Sequence, residues 1–362
     1  MIMTKSQVSA PQFFALLYLS LLGSLFMYIS SPNIQIATAE ALLRPVLFAI
    51  VNIVFAIPIY LLCKKGNMKE HLQNEKKSAI YKVVAVFYGV VYFVDALMTA
   101  SRFDLFASSE LFPGTEMTYF IIGLVAVCVA LAFCGLGALG RASTIFTLVV
   151  ISATAFASVA LSKELDFLNF TPLFENGVGK FFYDSLNFTL QASEIGVIVI
   201  FYPEIKGNLK KHYILWSVLS AISFSFILFF VTGTLGAFAD TQLFPTYSAV
   251  SLAEFGLFER LDALETAIWI LCVVTKLTLY IMAIVKCICF AFSKLSEKIV
   301  SISVGVIISF VLIFISGNVM NFRFISFNPL VMGVYIIPVI VLPIILLIYG
   351  LMKRRKNNEK TA

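Results

Sequence analysis

The sequence predicts an all-α membrane protein built from ten transmembrane helices. Three features predict it. Of the 362 residues, 60% are hydrophobic and only 13% are charged, where about one quarter of a soluble domain is charged. The apolar residues come in blocks of about twenty, the length that crosses a bilayer as a helix. Lysine and arginine concentrate in alternate connections between these blocks, the pattern that orients membrane helices.

The first block starts near Pro11. It has no small-residue cleavage motif in a suitable position, so it reads as a span and not as a removable leader. The ten spans cover 11–31, 42–62, 80–100, 117–138, 142–161, 181–202, 213–235, 263–291, 299–316 and 328–350. The tightest connection is the turn at Gly140 and Arg141. With the N-terminus cytoplasmic, eighteen lysines and arginines fall in inner segments and six in outer ones: Arg44, Arg102, Lys163, Lys180, Arg260 and Arg323. That ratio places both termini in the cytoplasm. The net charge of +6 is then a topology signal, and no nucleic-acid partner is implied. The tail "KRRKNNEK" reads as a stop-transfer flank beside the lipid bilayer. The outer connections are acidic, with Asp104, Glu110, Glu116, Glu164, Asp166, Asp240, Glu254 and Asp262. This is either a solvated face or a vestibule that attracts cations.

The chain reads as a single transmembrane domain over 1–362. Repeat one covers about 11–161 and repeat two about 181–316; helices nine and ten cover about 299–350, and a cytoplasmic tail 351–362. Two spans look interrupted. Span one carries "LLGSLFMYISSPN", with Gly23 and Ser24 near mid-membrane. Span six carries "FTLQASEIGVIVIFYPE", with Gln191, Ser193, Glu194 and Gly196 at that depth. They open two five-span halves and cross in opposite directions. Interrupted helices at matching positions of inverted halves point to a substrate site, because unwound backbone in lipid needs a partner. Glycine also serves close helix packing.

Five ionisable residues lie within spans: Asp95, Glu194, Glu265, Lys276 and Lys286. Lys286 is near the cytoplasmic end and can snorkel. Glu265 is near the outer end, where it is expected to meet water. Asp95 sits in the outer third of span three. Glu194 and Lys276 are the deep pair. Lys276 and Glu265 share a helix but stand about 16 Å apart, so the lysine needs a partner from another helix. Three arrangements fit. Carbonyls of an opened helix near Gly23 could hold the ammonium, Glu194 could pair with it directly, or a neutral lysine could serve as a proton acceptor.

Other classes are excluded. The six cysteines lie in or at the ends of apolar runs and read as small packing residues. The two histidines, His71 and His212, fall in polar connections, so no metal site is expected. No glycine-rich phosphate loop or nucleophile–His–acid set is present. The chain is not an enzyme and implies no cofactor.

Several stretches together carry a family resemblance. They are "VSAPQFFALLYLSLLGS", "SRFDLFASSELFPGT", "SEIGVIVIFYPEIK" and the long run "GTLGAFADTQLFPTYSAVSLAEFGLFERLDALETAIWILCVVTKLTLY". With the chain length and ten spans, they resemble the B-subunit of bacterial spore-germinant receptors. These are the GerAB-type spore permeases of the amino acid–polyamine–organocation transporter superfamily. Two positions depart from the family pattern: Glu116 follows Thr115 where a proline is usual, and 31–45 has no tryptophan.

The resemblance implies a LeuT-like five-plus-five inverted repeat with helices one and six broken. It implies a midplane pocket between spans one, three, six and eight. Carried over by position, Gly23, Ser24, Tyr92, Asp95, Gln191, Ser193, Glu194 and Lys276 would line or support that pocket. A zwitterion's carboxylate would meet helix-end N–H groups near Gly23, and its amine would meet carbonyls or Glu194. The implied function is nutrient sensing in the spore inner membrane, usually of an amino acid, beside an A-type membrane subunit and a C-type lipoprotein. The alternative is a proton-coupled amino-acid permease in which Glu194 or Lys276 carries the proton. A scaffold that binds no ligand is the third possibility.

Overall fold

A computed structural model describes residues 7–29, 39–65, 79–113, 117–174, 177–190, 193–253, 261–316 and 336–361. The long helices are α1 (Ala10–Ile29), α2 (Arg44–Lys65), α3 (Ala79–Phe106), α4 (Met117–Phe133) and α5 (Leu136–Leu161). Next come α6 (Val178–Leu190), the short α7 (Val197–Phe201), α8 (Leu209–Leu235) and α9 (Pro245–Ser251). The last three are α10 (Asp262–Ala291), α11 (Glu297–Ser316) and α12 (Leu342–Thr361). Among the described residues, six helical segments are long and apolar enough to cross a membrane, and three shorter apolar helices accompany them. The start of the tenth predicted span lies outside the described residues.

Burial sorts these helices into two layers. Helix α10 is enclosed nearly all round, with Thr275 through Val285 buried without a gap. It packs against α1, α3, α4, α5 and α11. A helix apolar on every side belongs at the centre of a bundle. Helices α2, α4, α5, α8 and α11 surround it and turn large apolar side chains outward, such as Ile145, Leu148, Phe310 and Phe314. Water would penalise such a surface, and lipid does not. This is an integral membrane protein.

Span six is interrupted as the sequence predicts. Helix α6 ends at Leu190, a tight 3-10 turn covers Ser193–Gly196, and the five-residue α7 follows. Gln191 lies outside the described residues. Span one is not interrupted at Gly23 and Ser24. Helix α1 runs through both without a break. Gly23 serves packing instead: a Cβ there would touch Cys272 of α10 at 3.5 Å. The glycine lets two central helices approach closely. No helix end, and hence no set of free N–H groups, exists at Gly23.

Tertiary contacts fix which segments share an end of the bundle. Val8 and Ser9 pair in parallel with Ile205 and Lys206. Val8 also touches Gly140. This end carries Arg141, Lys206, Lys210 and Lys211. At the opposite end, the Asp166 N–H donates to the Gly233 carbonyl at 2.9 Å. The Asn169 carboxamide donates to the same carbonyl at 2.9 Å.

Two segments read as connections are helical. Helix α3 continues through Phe103 and Phe106 and closes in a wide turn, with the Phe112 N–H bonded to the Ala107 carbonyl at 2.9 Å. Phe106 packs on Trp269 and Phe244, which holds the extension against α10. Helix α9 folds in the connection after α8, with Pro245 in its first turn. Its Thr246, Ala249 and Val250 cover Glu265. Glu265 is therefore buried and not exposed to water as expected.

Gly236 ends α8 with φ 51 and ψ −139, a conformation open only to glycine. A Cβ there would lie 2.7 Å from Asn169 Cγ. Gly236→Ala should destabilise the protein by about 1–3 kcal/mol through strain at this position. A thermal unfolding midpoint in detergent equal to that of wild type would contradict this reading.

Candidate functional site

Lys276 lies midway along α10, in a stretch where no side chain is exposed. Inserting a lone ammonium at that depth costs about 3 kcal/mol or more on insertion scales. Two neighbouring elements meet the charge. The Lys276 Nζ donates to Glu194 Oε1 at 2.8 Å. It also donates to Ser24 Oγ. The Ser24 hydroxyl in turn donates to Glu194 Oε1 at 2.5 Å. One carboxylate oxygen thus receives an ammonium and a hydroxyl, and the three residues close a ring. The Tyr280 ring lies one turn along α10, its centroid 5.4 Å from Nζ, within cation–π range.

The backbone explains why the ring can form. Glu194 sits in the tight turn Ser193–Gly196, which replaces α-helix where span six opens. Gly196 ends this turn in the tightest packing of the region. A Cβ there would come within 2.6 Å of the Tyr92 hydroxyl and 2.9 Å of the Pro338 carbonyl. Tyr92 stacks on Tyr88 at 6.2 Å and tilts against Tyr280 at 5.2 Å. The Tyr88 hydroxyl donates to the Pro338 carbonyl at 2.9 Å. Aromatic side chains from α3 and α10 therefore wall one side of the ring.

The valences are not all used. An ammonium has three donors, and two of them reach Glu194 and Ser24. The second carboxylate oxygen, Glu194 Oε2, is buried without a hydrogen-bond partner among the described residues. Among the described residues, the ring therefore keeps one donor and one acceptor in reserve.

Of the residues singled out from sequence, Ser24, Glu194 and Lys276 meet directly. The direct Lys276–Glu194 pair is the arrangement present, joined by Ser24 instead of by carbonyls near Gly23. Gly23 supports the site from behind by seating α1 on Cys272. Tyr92 borders it through Tyr280 and Gly196. Asp95 is buried one turn further along α3. Ser193 begins the turn that carries Glu194.

Sequence reading missed four contributors. Nothing in the sequence sets Tyr88, Tyr280 and Pro338 apart from ordinary apolar filling. Glu204 looked like a polar end, yet it pairs with Lys286 beside the Phe201 ring. At the other end of span six, Asp184 pairs with Arg44 at 3.2 Å with both side chains buried. A signal for these was present. Asp184, Glu194 and Glu204 recur every ten residues, and so do Lys276 and Lys286.

Comparison with known proteins places this geometry. The spore germination protein family of spore permeases matches residues 7–320. The chain belongs to that family. In fold, the spore permease is similar to a Na+-coupled sialic acid symporter solved in a substrate-bound outward-open state. The TM-score is 0.59 at 12% identity, covering 91% of this chain and 79% of the symporter. Among curated proteins, none matches in sequence. The spore permease is thus a germination-related, permease-like membrane protein with the LeuT-type transporter fold, and it is not an enzyme.

The ring in this spore permease makes a strong thermodynamic prediction. Removing one partner of a buried ion pair costs about 3–5 kcal/mol, because the other charge is left behind. Lys276→Met and Glu194→Gln should each lower stability on that scale. The double variant should recover much of the loss. Denaturation of the four proteins gives the coupling as a double-mutant cycle. Strictly additive losses would show that the two side chains do not interact.

Proposed function

We propose that this spore permease is the nutrient-sensing subunit of a germinant receptor in the spore inner membrane, and that its ligand is an amino acid. The observation that carries the reading is the spare donor and acceptor on the Lys276–Glu194–Ser24 ring. The ring's own charges cancel. A ligand that adds no net charge fits it best, and a zwitterion supplies both required groups. Its carboxylate takes the remaining Lys276 donor together with backbone N–H groups at the opening of span six. Its ammonium takes Glu194 Oε2. Tyr92, Asp95, Gln191 and Ser193 complete the surroundings.

Ten transmembrane helices in a five-plus-five inverted repeat are the architecture that suits this site. The repeats would span about 11–161 and about 181–316, and both termini would be cytoplasmic. The symporter's fold and the interrupted span six support this arrangement. Sensing then works by population shift. A ligand that binds better when span six stands away from α10 stabilises that conformation. An A-type membrane subunit and a C-type lipoprotein would read the change. The likeness to a symporter favours one second reading, a proton-coupled amino-acid permease in which the ligand crosses.

Purified protein in liposomes, with a pH gradient and radiolabelled amino acids, separates these readings. Sensing predicts saturable label that an ionophore does not release, and that Lys276→Met and Glu194→Gln abolish. Label that accumulates and escapes on ionophore addition establishes transport. Absence of saturable binding by any amino acid would remove the zwitterion from consideration.

A further inference from the structure

A second buried carboxylate stands apart from this ring. Glu265 lies in the first turn of α10, with only 7% of its surface exposed. Among the described residues, no hydrogen bond or ion pair reaches its carboxylate. Lys276 cannot serve it, since eleven helical residues separate them by about 16 Å. A buried carboxylate with no counter-charge is costly.

The surroundings supply what the carboxylate lacks. Glu265 lines a cavity of about 30 Å³. One water needs about 10–15 Å³. The space suits a small ion with a water and excludes an amino acid. Thr154 and Ser158 of α5 and Thr246 of α9 face the same cavity, with Phe230 and Val231 of α8 as apolar wall. The Ser158 hydroxyl donates to the Thr154 carbonyl at 2.8 Å, which leaves its oxygen lone pairs as acceptors. The Thr154 and Thr246 hydroxyls make no hydrogen bond among the described residues.

These ligands decide the occupant. All are oxygens, which suit a hard cation. One carboxylate balances one positive charge. A divalent ion would remain uncompensated in an apolar wall, and such ions take several carboxylates. Among the described residues no three His, Cys, Asp or Glu side chains gather. We propose that Glu265, Thr154, Ser158 and Thr246 form a binding site for one monovalent cation of about the size of Na+, at the outer end and separate from the ligand ring. The bound ion would tie α5, α9 and α10 together. Exposed Glu164, Asp166 and Asp240 at the same end would raise the local cation concentration.

Radiolabelled Na+ binding to the purified full-length protein tests the site, with choline chloride holding ionic strength constant. The expected result is saturable binding that Glu265→Gln abolishes and that Ser158→Ala and Thr246→Val each weaken several-fold. Na+ should also raise the unfolding midpoint of wild type, and not that of Glu265→Gln. Equal midpoints in choline would show that the variant is folded. If Glu265→Gln does not fold, the two hydroxyl variants decide. No saturable Na+ binding by wild type overturns the proposal and marks Glu265 as a neutral, protonated packing residue. Binding unchanged in both hydroxyl variants overturns it as well.

Discussion

The architecture turns on one constraint: the ammonium of Lys276 must be neutralised within a stretch of helix where no side chain is exposed. Helix α10 is buried on every face from Thr275 to Val285, and five other helices pack around it. No carboxylate on α10 itself reaches the charge. One partner, Ser24, comes from the unbroken helix α1, and the other, Glu194, from the tight turn in span six. Opening span six at 193–196 brings Glu194 to that position. Buried ion pairs of this kind contribute little net stability against an apolar replacement, but they are costly to half-remove. Their value is in fixing one arrangement of three elements.

That constraint repeats along span six. Its three carboxylates each meet a cation: Asp184 with Arg44 of α2, Glu194 with Lys276, and Glu204 with Lys286. Ten residues of unbroken helix set the two lysines about 15 Å apart along α10. Glu194 and Glu204 meet those two lysines although the backbone between them passes through a tight turn and a short helix. Span six is thus held at both ends and in the middle. Aromatic packing of Tyr88, Tyr92 and Tyr280 adds a rigid wall on one side.

Much of this was legible in the sequence. Apolar blocks marked the membrane helices, and Gln191 to Gly196 marked the interruption of span six. The deep pair, Glu194 and Lys276, stood out because charge at that depth needs a reason. What escaped has physical causes. A glycine beside a serine reads equally as a helix break or as a close contact, and at Gly23 the contact with Cys272 decided it. Helix α9 is too short to show a period, so Glu265 appeared to lie at a wet helix end. Tyrosines that pack a site look like tyrosines that pack a core. Pro338 reaches Gly196 from a distant part of the chain, and no local pattern announces such a contact.

The two ends of span six bear differently on sensing and transport. The Arg44–Asp184 rung joins it to α2, and the Lys286–Glu204 rung joins it to α10. On the proposed reading, a ligand that inserts at the central ring competes for valences that now link span six to α10. Loss of the central link would loosen span six first in its Asp184 half, which is tied to α2 and not to α10. The Lys286–Glu204 rung would still hold. A sensor needs nothing more, because one displaced half-helix is a change that a partner can read. Transport would require the Lys286–Glu204 rung to open as well, and only after the Asp184 half has closed again. The Lys286–Glu204 pair is half-buried beside the Phe201 ring and less enclosed than the Arg44–Asp184 pair. Exposure to water makes a charged contact easier to exchange. On the proposed reading, the strength of the Lys286–Glu204 contact, set against the binding energy at the central ring, is the quantity that would divide a receptor from a permease built on the same fold.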